Sequence, residues 1–219
     1  MNGVGAWDGV EVNDPVASND TVVGEDGRPR CGWGASPPVY VDYHDTEWGR
    51  PVVDDDRLYE KMCLEGFQSG LSWLTILNKR ENFRAAFAGF RIAAVAEFDE
   101  SDVDRLLGDA GIVRHRGKIE AAIGNARAAR SLQESGTALT DLVWSFEPDT
   151  WPAPALFADV VASTDASVAM SKELKRRGFR FVGPTTMHAL MQAMGLVNDH
   201  LAACWVRSEV DAERRALGR

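Results

Sequence analysis

Four side chains able to bind a borderline metal stand in two pairs near opposite ends of the chain. Twelve residues separate Cys31 from His44, and three separate His200 from Cys204. At i, i+4 the second pair would share one face of a helix, the spacing that two ligands of one metal need. Two Cys and two His would close a tetrahedral zinc shell with no position left for water, which makes such a site structural and argues against a zinc hydrolase. The same residues could be two buried thiols and two satisfied histidines. Either pair alone is a weak signal, and the metal reading rests on finding both.

Glu65 is the most informative carboxylate. Leu58, Met62 and Glu65 run i, i+4, i+7, so the acid lies on the apolar stripe of its helix and points inward. An acid placed there is paired, protonated or functional. Gly66 and Gly70 leave space beside it, and Trp73 follows within two turns. Trp33, Tyr40, Tyr43 and Trp48 are crowded around a Pro-Pro loop and alternate with Asp42, Asp45 and Glu47. Flat rings around an acid suit a cleft that stacks a nucleobase and reads its edge, although rings this dense also make ordinary core.

A third constellation runs from Lys175 to Thr186. A basic helix end, a turn bounded by Gly178 and Gly183, and a helix opened by Pro184 make a helix–hairpin–helix. The glycines let backbone N–H groups approach an anion, the second helix adds its positive end, and Arg177 and Arg180 add charge. Such a hairpin holds a DNA phosphate without reading sequence. A plain αα-hairpin with a solvated basic face fits the same spacing.

The elements that position these residues are helical. Asp54, Asp55 and Asp56 supply the cap and first turn of a helix over residues 57–67. Further helices are predicted over 71–87, from a Ser101 cap, over Arg116–Leu132, over Ser167–Arg177, and from Pro184 to a Gly195 stop. Pro148, Pro152 and Pro154 mark a long connection, and no alternating strand run stands out. The prediction is an all-α domain over residues 30–210. Residues 1–29 are read as an acidic, mostly disordered tail and 211–219 as a C-terminal tail.

Composition sets the outer limits. The 219 residues can bury a core unaided, and 45% hydrophobic with 26% charged residues is ordinary for a soluble protein. No apolar run is long enough to cross a membrane, and Met1–Ala6 lacks the features of a secretory signal. Three cysteines are too few for a disulfide framework, so the cytoplasm is the expected compartment. The net charge of −9 disfavours nucleic acid, yet the tail supplies six acids against Arg28 alone. Lys172–Arg180 holds five bases against Glu173, and local sign governs contact with phosphate.

Together these residues resemble the bacterial 3-methyladenine DNA glycosylase I family. The resemblance rests on Arg30-Cys31-Gly32-Trp33, on Tyr43-His44-Asp45-Thr46-Glu47-Trp48-Gly49 and on Cys63-Leu64-Glu65-Gly66. It continues through Gly70-Leu71-Ser72-Trp73, Lys79-Arg80-Glu81-Asn82 and the stretch Asp109–Ile119. Gly178-Phe179-Arg180-Phe181-Val182-Gly183 and Gly195–His200 complete it, so that it covers residues 30–206. It implies an all-α fold of the helix–hairpin–helix glycosylase superfamily, with one structural zinc per chain on Cys31, His44, His200 and Cys204 tying the chain ends together. It also implies that Glu65, the candidate catalytic position, and Tyr43 hydrogen-bond the damaged base while Trp73 stacks on it. Trp33, Tyr40 and Trp48 would complete the pocket. The implied activity is hydrolytic excision of 3-methyladenine from alkylated double-stranded DNA by a monomer, leaving an abasic site and free 3-methyladenine, with no membrane partner. No lysine stands out as a Schiff-base nucleophile, and Asp199 is not promoted to catalytic acid by its position alone. A non-catalytic zinc-stapled DNA-binding module is the alternative. The tail before Arg30 is extra to the family pattern, and Phe67 stands where a polar residue is expected at the pocket rim.

Overall fold

The computed structural model describes residues 20–218. Two short strands, β1 (Thr21–Val23) and β2 (Pro29–Cys31), pair antiparallel with Val22 opposite Arg30. Among the described residues ten α-helices follow: α1 (Pro38–Thr46), α2 (Asp55–Gln68), α3 (Trp73–Ala86), α4 (Ile92–Val95) and α5 (Glu100–Gly108), then α6 (Arg116–Glu134), α7 (Leu139–Trp144), α8 (Asp165–Arg176), α9 (Pro184–Ala193) and α10 (Trp205–Ala216). None is long and apolar enough to cross a membrane.

The helix starts follow local chemistry. The Asp54 carboxylate accepts the Arg57 N–H at 2.9 Å to open α2, and the Ser72 hydroxyl accepts the Thr75 N–H at 3.2 Å to open α3. Pro184 stands in the first turn of α9, where its missing N–H costs nothing. The cap of α5 is Asp99, not Ser101: the Asp99 carboxylate takes the Ser101 N–H, and Asp102 returns a bond to the Asp99 N–H.

α2 is the axis of the body and packs against α3, α6, α7 and α9. Leu58, Tyr59, Met62, Leu64 and Phe67 on it are almost wholly buried. Phe67 packs tilted against Phe83 and edge-on to Phe87, so it belongs to the core rather than to a pocket rim, which accounts for an apolar residue there. The Lys118 ammonium donates to the Phe67 and Ser69 carbonyls at 2.9 and 2.6 Å and so closes the C-terminal end of α2.

The structure differs from the sequence reading in four further places. Residues 20–29 are not irregular tail: they hold the β-hairpin, and Arg30 ties it down through Asp26 and Asp45. Three-residue strands are too short to show an alternating pattern. Residues before 20 lie outside the described residues. The Pro-Pro segment is no loop either, because it begins α1, with Pro38 in the first turn. The C-terminal tail expected from 211 is largely helix, since α10 runs through that boundary. Finally, His200 and Cys204 do not share a helix face. They flank a turn in which the Cys204 N–H donates to the Leu201 carbonyl at 2.8 Å, and Cys204 caps α10.

Candidate metal centre and base pocket

Cys31 at the end of β2, His44 on α1, and His200 and Cys204 before α10 are all buried, and their ligand atoms lie within 4.8 Å of one another. Cys204 Sγ is 3.5 Å from His44 Nε2 and 3.6 Å from His200 Nδ1, and Cys31 Sγ is 3.8 Å from His200 Nδ1. A tetrahedron with zinc bonds of 2.0–2.3 Å has edges of about 3.3–3.8 Å; the three separations above have that size, and the widest, up to 4.8 Å, would close on a zinc ion with a small inward shift. The outward nitrogens are already held. His44 Nδ1 meets Asp45 Oδ1 at 2.8 Å, and His200 Nε2 meets the Trp48 carbonyl at 3.0 Å. This outer support selects the inward nitrogens as ligands.

The turn carrying His200 and Cys204 is laced to α10. Arg207 donates to the Asn198 and His200 carbonyls, and Asn198 donates to Asp211 at 2.7 Å. The Cys31 hydrogen bond and both histidines hold the Cys204 thiol low against burial; that same bond and burial push Cys31 up. A cation between them would favour both thiolates. Cys63 is buried apart from this group, and burial pushes its thiol up to about 12.

Arg30 extends the support by one step. Its guanidinium reaches Asp45 Oδ2 at 2.7 Å, and although burial opposes it, Arg30 and His44 hold the Asp45 carboxyl below the usual range. Asp45→Asn is therefore expected to weaken zinc binding by about 10–100-fold in a chelator competition, with the helical content unchanged. Zinc affinity equal to that of the parent would show that Asp45 does not orient His44.

A wall of rings leads from the Cys/His cluster to Glu65. Trp48 stands edge-on to His200 at 4.7 Å and to Trp33 at 4.9 Å between centroids, and Trp33 meets Tyr40 at 6.0 Å. Tyr43 and Trp73 lie 5.4 Å apart at the far end, and all five rings pack in one cluster with Leu77. Glu65 is buried, as its place on the α2 stripe requires. Sequence reasoning passed over its partner: Lys61 Nζ lies 3.1 Å from Glu65 Oε1, donates to Tyr43 Oη at 2.5 Å, and sits 3.5 Å from the Trp73 ring centroid. The i, i+4 spacing of Lys61 and Glu65 was the available signal. Burial pulls the Lys61 ammonium below its ordinary value against the pull of Glu65, and burial followed by Glu65 pushes the Tyr43 phenol well above its own. Asp199 has both oxygens engaged, by Trp151 Nε1 at 2.6 Å and Gln192 Nε2 at 2.7 Å, which fits a structural acid.

The hairpin between α8 and α9 is clamped from behind. Asn125 on α6, also missed in the sequence, accepts the Arg180 N–H at 2.8 Å and donates to the Arg180 carbonyl at 3.0 Å. Ser171 bonds the Val182 carbonyl at 2.6 Å. Gly178 takes a φ of 91°, which turns the chain out of α8. Arg180 is exposed and its guanidinium has no partner among the described residues, whereas Arg177 is paired to Glu173 at 2.6 Å. The space left by Gly66 is filled by Phe181, whose Cβ would lie 3.3 Å from a Cβ at that position. The hairpin thus abuts the helix that carries Glu65.

The profile of the methyladenine glycosylase family matches residues 33–208. DNA-3-methyladenine glycosylase 1 of Escherichia coli (strain K12) is 53% identical over 178 residues, spanning 80% of this chain and 95% of that one. A crystal structure of 3-methyladenine DNA glycosylase I superposes with a TM-score of 0.78 at 49% identity, covering 80% of this chain and 98% of that chain. The structure that gives the basis of 3-methyladenine recognition by 3-methyladenine DNA glycosylase I from Staphylococcus aureus superposes at 0.76 with 34% identity, covering 80% and 94%. Agreement in sequence and in fold over most of its length makes this chain a member of the methyladenine glycosylase family.

Proposed function

We propose that this protein is a DNA-3-methyladenine glycosylase, a monofunctional hydrolase that excises 3-methyladenine from alkylated double-stranded DNA. The observation that carries the reading is the convergence of Trp73, Tyr43 and Glu65 at one buried site beside the helix–hairpin–helix. Its relatives carry that activity in their names.

The chemistry asks little of the protein. Adenine alkylated at N3 is cationic, so its glycosidic bond is weak and the base leaves neutral. Extruding the nucleotide costs a few kcal/mol, and less where pairing is already damaged. Trp73 stacks on the extruded base, Tyr43 Oη meets its edge, and Glu65 accepts its exocyclic N–H; Trp33, Tyr40 and Trp48 back these groups. Water attacks the sugar, the base departs, and an abasic site remains. Cys31, His44, His200 and Cys204 hold one zinc per chain, which supplies a cross-link and no chemistry. The β-hairpin and the ten helices together form the working domain, acting as a monomer in the cytoplasm.

The hairpin holds the DNA backbone through the N–H groups around Gly178 and Gly183 and through Arg180, with Arg177 contributing less because Glu173 already neutralises it. Arg180→Glu is expected to weaken binding to every DNA sequence alike and to lower the slope of log affinity against log salt by at least about one, with a smaller change for Arg177→Glu. Unchanged slopes in both variants would mean that the basic face is merely solvated. The deciding experiment for the function is base release: incubation with alkylated DNA should yield free 3-methyladenine by chromatography and leave an unbroken, alkali-labile strand. DNA binding without base release would favour the non-catalytic module.

A further inference from the structure

Phe181 stands at the surface in a backbone conformation that a bulky side chain seldom adopts. Its φ is 56°, in the left-handed region, and the residue is 37% exposed. The bend is imposed from both sides. Asn125 holds the Arg180 N–H and carbonyl, Ser171 holds the Val182 carbonyl, and the Phe179 and Val182 side chains are buried. A glycine would take this φ without strain, so the phenylalanine is explained by what it touches. Its Cβ and its carbonyl oxygen rest on α2 at Gly66, 3.3 and 3.7 Å from where a Cβ would stand there. Gly66 adjoins Glu65. Lys118 on α6 grips the end of α2 through the Phe67 and Ser69 carbonyls, and Asn125, two turns along α6, grips the hairpin. α6 thus carries both parts, and the seat of Phe181 on Gly66 closes the frame on its third side. A cleft of about 190 Å³, lined in part by Gly66, Lys118, Asn125 and Phe181, lies beside that seat, so the spacing is set by the contact rather than by continuous packing.

We propose that Phe181 is a positioning residue for base excision: seated on Gly66, it fixes the distance between the DNA backbone held on the hairpin and Glu65, the neighbour of Gly66 on α2. The inference rests on the base-excision reading above. The damaged strand bridges these two points, with its phosphate on the hairpin and its extruded base beside Glu65. The hairpin can hold a phosphate, and the rings can hold a base, whatever the spacing between them. Both engage one strand together only at the right distance. Phe181 therefore acts on the rate of excision and leaves each half of the contact unchanged.

The test is single-turnover release of 3-methyladenine from alkylated duplex by the full chain, set beside its affinities for undamaged duplex and for free 3-methyladenine. Phe181→Gly accepts the backbone angle but withdraws the spacer, and should slow release about 10–100-fold. Gly66→Ala favours the helix while its methyl pushes the hairpin outward by a few tenths of an ångström. That variant should slow release by roughly three- to tenfold. In both, the two affinities should stay within about twofold of the parent's, the mark of an interaction that counts only in the transition state. The double variant moves the spacer from one side of the contact to the other and should release base faster than Phe181→Gly alone. Release at the parent's rate from either single variant overturns the proposal. A slowing matched by loss of either affinity, or one that the double variant does not relieve, also overturns it. Gly66→Ala strengthens α2, so it decides the matter even if Phe181→Gly fails to fold. If the parent itself releases no base, the base-excision reading fails and the proposal falls with it.

Discussion

Cys204→Ala should leave the protein without its metal and lower its melting temperature by about 10 °C. The expectation follows from what joins the two ends of the body. Cys31 and His200 are 169 residues apart in sequence, and the apolar cluster around them holds only Leu201, Cys204, Val206 and Val210 with Trp33 and Trp205 against it. So small a cluster gives little burial, and much of the free energy of a structural zinc site is folding free energy. A loss of about 3 kcal/mol, small beside the total affinity of such sites because the main core survives, shifts a domain of this size by roughly 6–12 °C. Metal analysis and a thermal melt of the purified variant check both parts, with Cys63→Ala as a control that keeps its zinc. Undiminished zinc content in Cys204→Ala would remove the ligand assignment. Acid should release the metal from the parent as well, since histidine and thiolate ligands must be deprotonated to bind.

Glu65→Gln should cost about 3–5 kcal/mol of stability near neutral pH and weaken 3-methyladenine binding at the same time. Recognition and ion pairing look like alternatives in the sequence; the structure shows the ion pair, with Glu65 as the counter-ion of buried Lys61, on the carboxylate proposed above to read the base. Removing it leaves the ammonium on Tyr43 Oη and the ring faces, with Glu47 attracting it from farther off and Arg80 opposing that. The pH dependence follows from the direction of the Lys61 shift. Its pKa is lower in the folded protein than the ordinary 10.5, so the folded state gives up the proton first. The resulting penalty is fully present below the folded value and disappears as pH rises past the unfolded one. Without Glu65 the folded value falls further. The stability gap between parent and variant should therefore be widest near neutrality and narrow in alkaline solution. Lys61→Met combined with Glu65→Gln should recover most of the loss, because the pair is then replaced as a unit. Equal stability of Glu65→Gln and parent at neutral pH would show that Lys61 is uncharged when folded.

How far the sequence reveals all this depends on the range of the interaction concerned. Caps and stops such as Asp54, Pro184 and Gly195 act within a turn and are readable where they stand. The Cys/His quartet is readable because few residue types bind zinc, although its geometry is not: the i, i+4 spacing of His200 and Cys204 works through a turn that Arg207 holds from α10 and that Asn198 ties back to that helix. α1 hides because its buried side is made of Tyr40, Tyr43 and His44, which do not look like an apolar stripe. Asn125 and Lys118 lie within a helix that reads correctly, yet their partners are backbone carbonyls and N–H groups 49 to 55 residues away. Polar residues buried against distant backbone carry no periodic signature and are missed for that reason, whereas Lys61 was passed over despite its i, i+4 spacing to Glu65.

Tyr43 and His44 are neighbours on α1, one turned to Lys61 in the proposed base pocket and the other to Cys204 in the proposed zinc site. A single helical step turns the chain by about 100°, so the two sites share one shaft and one angular setting. Deleting or inserting a residue anywhere between Pro38 and Tyr43 would turn both sites out of register together, and no compensating change in either could restore the other. The length of this stretch of α1 is therefore fixed by two sites at once, and repacking the Cys/His cluster with apolar side chains would recut the ring wall that leads to Tyr43 and Trp73.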